Sequence, residues 1–297
     1  MLSGDAPRPG FTTRFAPAPT GLLHLGHAAS AVAVWGLARA FGGRVLLRVE
    51  DHDRTRSRRE FEIALLEDLE WLGLSPDQPF ARQRDRERVY ESALRHLEAA
   101  DLIYPCACSR KSIEASIGPT AGELRYPGTC RQAGVDGTAE KARRVRLARE
   151  PQAFGDLRLG PIEQIPSEQS GDVLIRDRHG HWTYQFAVTV DDLDQGVDLV
   201  IRGEDLLEST GRQIQLSRLL GRTTPPMFLH HPLVRHPNGG KLSKSNRETG
   251  LRDLRASGWT AERVLGQAGL ILGLTAGEPL GLPELVNRIR QTVPGVS

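Results

Sequence analysis

The sequence predicts an α/β fold: a parallel sheet interrupted by an insertion and closed by helices. Three observations carry this. A short extended run, a long apolar helical segment and a Val/Leu-rich run follow one another between Thr12 and Glu50, the order of a right-handed crossover unit. From Pro105 to about Gly180 the texture changes to many Gly, Pro and Arg residues with only short apolar runs. Regular α/β texture returns at Trp182, and after Arg252 only helical periodicity remains.

The elements follow in order. Met1 to Gly10 is polar and rich in Pro and Gly, and reads as a disordered tail. Thr12 to Phe15 is the first strand, and Pro17 to Gly21 is a corner. A helix is predicted from Leu25 to Phe41, ended by Gly42-Gly43. Arg44 to Glu50 reads as a buried parallel strand. Helical periodicity covers about Arg59 to Leu72, then Arg84 to Ala100, and Leu102 to Tyr104 reads as a third short strand. Inside the insertion, Arg144 to Leu147 and Asp172 to Ile175 read as strands. Val197 to Arg202 is a strand, Leu206 to Leu220 a helix, and Met227 to His231 a short strand. A Gly/Asn/Lys-rich loop follows, then helices at about Thr260 to Leu274 and Leu282 to Gln291.

Composition narrows the class. Apolar content of 39%, charged content of 26% and a net charge of +2 are ordinary for a water-soluble domain. The near-neutral total argues against general nucleic-acid binding, so any RNA contact must come from a local patch. The run Ala28 to Leu37 is too short to span a bilayer, and no export signal is evident. Three cysteines cannot build a disulfide framework, so a reducing cytoplasm is expected.

Two motifs carry chemistry. In the first, His24 and His27 flank Gly26 at the predicted helix start. Two imidazoles three apart leave one face of the first turn, beside unpaired N–H groups and the positive dipole end. Gly26 leaves bare backbone there for a flat ligand. In the second, Lys241-Leu-Ser-Lys244-Ser245 follows Pro237-Asn-Gly-Gly240, a basic loop able to close over a polyphosphate. A Walker loop fails because Arg235 stands where a glycine is needed, and no G-x-G-x-x-G follows the first strand. All three cysteines fall close together, as Cys106-Ala-Cys108 and Cys130, and suit either free thiols or a tetrahedral metal site.

His24-Leu-Gly-His27 resembles the HIGH signature of class I aminoacyl-tRNA synthetases, and Lys241 to Ser245 their KMSKS signature with Leu242 in place of Met. Arg14-Phe-Ala-Pro-Ala-Pro-Thr-Gly21, Val190-Asp-Asp192 and Val200 to Asp205 look like the glutamate-specific branch. The resemblance implies a Rossmann-like catalytic domain and ATP-dependent formation of an aminoacyl adenylate. It implies that His24, His27, Lys241 and Lys244 are catalytic, and that ATP meets Pro17, His24, Gly26, His27 and Lys244, with magnesium. It implies a glutamate site of Arg14, Phe15, Ala16, Pro17, Ala18, Glu50, Tyr184 and Arg202: Glu50 for the ammonium, the arginines for carboxylates. Two departures weaken the match: Ala18 replaces a common serine, and Val188 stands where some relatives have asparagine.

Cys106, Cys108, Tyr126 and Cys130 resemble the structural zinc site of the glutamyl-Q tRNA(Asp) synthetases, short glutamyl-synthetase paralogs. Little chain follows Ser245, so the anticodon-binding part of full-length enzymes is expected to be absent. The resemblance then implies glutamate activation without tRNA and transfer to queuosine in the anticodon loop of tRNA(Asp), by a monomer. Arg125, Arg131, Arg143, Arg144 and Arg146 are candidate stem-loop contacts. The expected organisation is a tail (1–10), the first catalytic half (11–104), an insertion with the zinc site (105–180), the second half with the lysine loop (181–250) and a helical end (251–297). The alternatives are an adenylating ligase acting on a small amine, and a noncatalytic paralog that binds tRNA or amino acid.

Overall fold

The structure is a computed structural model that describes residues 6–118, 123–133, 141–233 and 249–292. Strand β1 (Thr12–Phe15) leads through the Pro/Gly corner into α1 (Leu25–Phe41), and β2 (Arg44–Val49) returns parallel to β1, with Thr12 opposite Arg44 and Phe15 opposite Leu47. The three elements lie where the sequence predicts them. Gly42 ends α1 in the left-handed region, at φ 68, and Gly43 lies so close to the Phe11 ring that a side chain there would collide.

After α2 (Arg59–Trp71) a two-residue strand, β3 (Ala81–Arg82), adds parallel to β2. Two residues are too few to show any periodicity, so β3 leaves no trace in the sequence pattern. Helix α3 (Glu87–Ala99) starts later than its periodicity suggests, because Gln83–Asp85 forms a 3-10 turn. The next strand, β4 (Ile103–Cys106), does not join the parallel sheet. It pairs antiparallel with β5 (Ala142–Val145), which pairs with β8 (Val173–Arg176); the short helix α4 (Arg110–Ile117) follows β4. Between β5 and β8 run β6 (Gln152–Asp156), β7 (Gly160–Gln164) and α5 (Pro166–Gln169). The sequence pattern predicts no strand between Leu147 and Asp172, because the apolar positions of the β6–β7 hairpin are few and interrupted by Gly and Pro.

Helix α6 (Tyr184–Asp194) leads to β9 (Leu199–Gly203), a 3-10 turn at Glu204–Ser209, α7 (Thr210–Leu219) and β10 (Met227–His231). Strand β10 pairs parallel with β9 and, through Phe228 and Asp156, with β6. The Thr12 carbonyl accepts the Asp198 N–H at 3.0 Å, and the Thr12 N–H donates to the Asp198 carboxylate at 2.7 Å. These bonds seat β1 beside the entrance to β9, so the two halves of the chain meet at their first strands. Helices α8 (Leu251–Ala256), α9 (Ala261–Ile271) and α10 (Leu282–Gln291) close the chain.

Helix α1 is the centre of the main core. Ten of its residues from Ala28 to Ala38 are buried, because one side meets the sheet and the other meets α9 and α10. Its small Ala and Gly residues permit that approach: a methyl on Gly36 would overlap Ile289. No described helix is long and apolar enough to cross a membrane.

The packing of α9 gives a direct test. A Cβ on Gly266 would sit 1.9 Å from the Glu278 carbonyl oxygen, a backbone atom that cannot swing aside. Gly266→Ala is expected to destabilise the chain by about 1–3 kcal/mol despite alanine's better helix propensity. Urea denaturation of parent and variant measures this, and equal midpoints would contradict the packing described.

Candidate functional site

The corner after β1 is held at both sides. The Pro17 carbonyl accepts the Glu50 N–H at 3.0 Å, and the Leu23 carbonyl accepts the Leu251 N–H at 2.7 Å. The start of α8 therefore docks against the corner one residue before His24. His24 is the N-cap of α1: its Nδ1 accepts the Gly26 N–H at 3.1 Å, while His27 Nδ1 accepts the His24 N–H at 3.2 Å. The rings lie 3.9 Å apart between centroids. This reciprocal capping fixes chemistry as well as shape. An Nδ1 that accepts a backbone N–H carries no proton, so each neutral ring bears its proton on Nε2. The two Nε2–H groups are donors at a helix N-terminus, which suits an anion. Lys241 and Lys244 lie outside the described residues.

Around the ends of β1, β2 and β9 lies a buried ionic cluster. Asp192 on α6 accepts from Arg14 Nε at 2.9 Å and from Arg48 Nη1 at 2.8 Å. Arg14 also donates to the Ile201 carbonyl at 3.2 Å, joining β1 to β9. Arg48 reaches Glu50 at 3.3 Å and Gln195 at 2.8 Å. Asp191 accepts from Gln83 at 2.7 Å, Arg86 at 2.6 Å and the Tyr90 hydroxyl at 3.0 Å. Burial alone would raise the Asp192 carboxyl, but Arg14 and Arg48 overcome it and hold it below the usual carboxylate range. Glu50 goes the other way: burial raises it against the pull of Arg48 and Arg14. Burial, with Glu50 nearby, pushes Tyr184 up to about 12, so it stays a neutral phenol.

Arg202 differs from Arg14, Arg48 and Arg86. It is 4% exposed, and its partners are all neutral: Gln213 Oε1 at 2.7 Å, Thr210 Oγ1 at 2.8 Å and His230 Nε2 at 3.1 Å. No carboxylate lies within ion-pair distance among the described residues. Burial lowers its pKa, opposed by Tyr184, Asp192 and Glu50, so these groups share one neighbourhood.

The structure thus brings Arg14, Glu50, Tyr184 and Arg202 together. Phe15 is the last residue of β1. Its side chain sits in the core, edge-on to Trp35 at 5.4 Å, leaving only its backbone for a ligand. Ala16 and Ala18 are half-buried on the corner, with Pro17 buried between them. Val188 is buried on α6. His230 and His231, at the end of β10, are both buried, and His230 contacts Arg202. Sequence reading missed Arg48, Asp156 and the roles of Asp191 and Asp192. The available signal was two adjacent aspartates directly after the apolar run Phe186 to Val190, still within the same helical stretch.

A second cluster lies at the antiparallel sheet. The sulfurs of Cys106, Cys108 and Cys130 are all within 4.8 Å of one another, with Cys108 and Cys130 3.5 Å apart. The Tyr126 hydroxyl is 3.5 Å from Cys106 and accepts the Cys130 N–H at 2.8 Å. Thiolates about 2.3 Å from a tetrahedral ion stand roughly 3.8 Å apart, so three sulfurs and the phenol oxygen fit the demand of a metal. Arg144 stacks on Tyr126 at 3.7 Å and donates to Cys106 at 3.4 Å. Arg131 is committed to Asp172 at 2.9 Å, and Arg146 stacks on Tyr104. A 1390 Å³ cavity runs from Cys106 and Cys108 past Arg144 to Tyr184 and Gln185.

The ionic cluster predicts an acid-sensitive stability term. Asp192→Asn leaves two buried guanidiniums without their shared carboxylate and is expected to cost about 3–5 kcal/mol at neutral pH. The Asp192 carboxyl is depressed in the folded state, so its contribution is complete above the unfolded pKa and fades as pH falls below about 4. Urea denaturation should show the gap between parent and variant narrowing at acid pH; a constant gap would refute the pairing.

Residues 11–281 match the family of tRNA synthetases class I (E and Q), catalytic domain. A glutamyl-Q tRNA(Asp) synthetase of Cupriavidus metallidurans is 44% identical, over 89% of this chain and 85% of its own length. One from Geobacter sulfurreducens is 44% identical over 90% and 88%. Among solved structures, the glutamate tRNA ligase of Elizabethkingia meningosepticum, crystallised with its amino acid, has the same fold (TM-score 0.77, 24% identity), and this chain spans 93% of itself but 64% of that enzyme. The chain therefore belongs to the class I tRNA synthetases (E and Q), as an ATP-dependent ligase that groups with the glutamyl-Q tRNA(Asp) synthetases.

Proposed function

We propose that this chain activates L-glutamate with ATP in the absence of tRNA, then transfers the glutamyl group to queuosine in the anticodon loop of tRNA(Asp). The observation that carries the amino-acid half is Arg202: a buried guanidinium with neutral partners, beside Tyr184 and Glu50, is a receptor for an anionic group. Glutamate supplies two carboxylates and one ammonium. In this reading Glu50 meets the ammonium, Arg202 and Arg14 meet the carboxylates, and the Tyr184 phenol donates to one of them. The tRNA half rests on the named relatives, and the cavity joining Tyr184 to the antiparallel sheet is large enough to admit a nucleoside.

In the first step a glutamate carboxylate oxygen attacks the α-phosphorus of ATP, and magnesium pyrophosphate leaves. The Nε2–H groups of His24 and His27 donate to phosphate oxygens as charge moves outward, and Gly26 leaves room for the adenine. Lys241 and Lys244 of the KMSKS-like motif would complete the clamp. Positioning and charge stabilisation account for the rate, with little general acid–base work. In the second step a hydroxyl of the queuosine cis-diol attacks the activated carbonyl, and AMP leaves. Cys106, Cys108, Tyr126 and Cys130 would hold a structural zinc, since four protein donors leave no open position. We place this activity in the cytoplasm, in a monomer.

Glutamate-dependent ATP–pyrophosphate exchange without tRNA is expected, and Lys244→Ala should slow it by orders of magnitude with the fold intact. Exchange with another amino acid only would overturn the glutamate reading. Labelled glutamate should enter tRNA(Asp) that carries queuosine and not tRNA that lacks it, and periodate cleavage of the diol should abolish transfer. Transfer that survives periodate would rule out the diol as acceptor. Purified protein should contain about one zinc per chain by elemental analysis, and Cys108→Ser should lose it together with thermal stability. Metal-free protein of unchanged melting temperature would remove zinc from the account.

A further inference from the structure

We infer that Asp156 and His230 form a buried ladder that positions Arg202, making His230 a positioning residue for amino-acid binding. The inference rests on the proposed role of Arg202 as a carboxylate receptor. Asp156 ends β6, the strand that sequence reading missed, and lies beside β10. Its Oδ1 accepts the N–H groups of Arg158 and Leu159, each at 2.9 Å. Its Oδ2 accepts the backbone N–H of His230 at 3.0 Å and lies 2.7 Å from His230 Nδ1. A carboxylate receiving three backbone donors is the charged form, so the proton between it and the imidazole belongs to Nδ1. His230 Nε2 is then a lone pair, and at 3.1 Å it accepts the Nε–H of Arg202.

With Gln213 on one terminal nitrogen of Arg202 and Thr210 on the other, the guanidinium is gripped along three sides. Three of its five N–H groups are spoken for, which leaves one on each terminal nitrogen for a ligand. A ring that fixes an arginine without neutralising it keeps the cation available for substrate. A carboxylate in its place would compete with the ligand.

The ladder works only while His230 is neutral. The charged and titratable groups around the ring are Asp156 and Arg158 from the end of β6, Arg202 from β9, Glu204 through its pair with Arg158, and His231 with Asp205 beyond it. Helix α7 adds only neutral Thr210 and Gln213. Burial, together with the nearby charges of Arg202 and Arg158, disfavours the imidazolium more than Asp156 favours it, so the neutral ring holds at pH 7. Acid would place an N–H and a second positive charge against Arg202, breaking the contact.

The test is pyrophosphate exchange with glutamate and ATP varied separately, from about pH 5.5 to 8.5, on the unaltered chain, His230→Ala and His230→Gln, with melting temperatures alongside. The expected result is an acid-side rise in the glutamate KM of the unaltered chain. His230→Ala should raise that KM by more than about tenfold while moving the ATP KM less than about twofold. His230→Gln, which restores a neutral acceptor that does not titrate, should recover most of the affinity and flatten the acid-side rise. Equal changes in both KM values, a loss confined to kcat, or an acid-side rise that persists in His230→Gln would each overturn the ladder. Should His230→Ala fail to fold, His230→Gln alone decides by the same two readouts. Exchange by the unaltered chain that ignores glutamate would overturn the substrate reading itself, which separates the two failures.

Discussion

The shared carboxylate of Asp192 is the interaction on which the site depends. It sits on α6, in the second half of the chain, and binds Arg14 of β1 and Arg48 of β2, in the first half. Desolvating two guanidiniums costs several kcal/mol each, and their mutual repulsion adds to it. One carboxylate between them offsets both costs only if all three groups are held in place. The pairing therefore demands that the two halves of the sheet close correctly, and it contributes specificity as well as energy. Asp191, the neighbouring residue, repeats the pattern on the other side with Arg86, Gln83 and Tyr90. Two adjacent aspartates thus tie α6 to β2, to the 3-10 turn before α3 and to α3 itself.

That arrangement explains why the strand ends can carry so many charges. In a low-dielectric interior each unpaired ion would shift its pKa or unfold its surroundings. Here Arg14 is matched by Asp192, Arg48 by Glu50 and Asp192, and Arg86 by Asp191. Arg202 is the exception, reached by Asp156 only through an imidazole. Glutamate carries a net charge of −1 at neutral pH, whereas its amide carries none. A pocket whose surplus is a single guanidinium favours the acid over the amide on electrostatic grounds, before any contact is optimised.

Much of this was legible in the residues. The crossover unit was read closely because Thr12–Phe15, Leu25–Phe41 and Arg44–Val49 have strong, distinct periodicities and a glycine stop between them. The proximity of Arg14, Glu50, Tyr184 and Arg202 was expected from the family resemblance and not from spacing, since tertiary contact across nearly two hundred positions leaves no local trace. What failed was short or polar: β3 has two residues, and β6 and β7 break their alternation with Gly and Pro. At Phe15 the motif and the fold carry different information. A motif names a position, while the alternation of a strand decides which way the side chain points, and Phe15 points to Trp35.

The hairpin that escaped sequence reading matters to the site. Strand β6 pairs with β10, and its last residue, Asp156, reaches His230 there. Asp156 belongs to the stretch between β5 and β8, whose sheet also carries the cysteine cluster, so that stretch touches the site in two places. One is this carboxylate at the foot of Arg202. The other is the cavity wall that ends at Tyr184. The proposed glutamate would lie between them, with its amino acid held by buried ions and its activated carbonyl facing the larger space. The division of labour follows from the physics: rigid, desolvated charges select a small ion, and an open polar cavity admits a bulky acceptor.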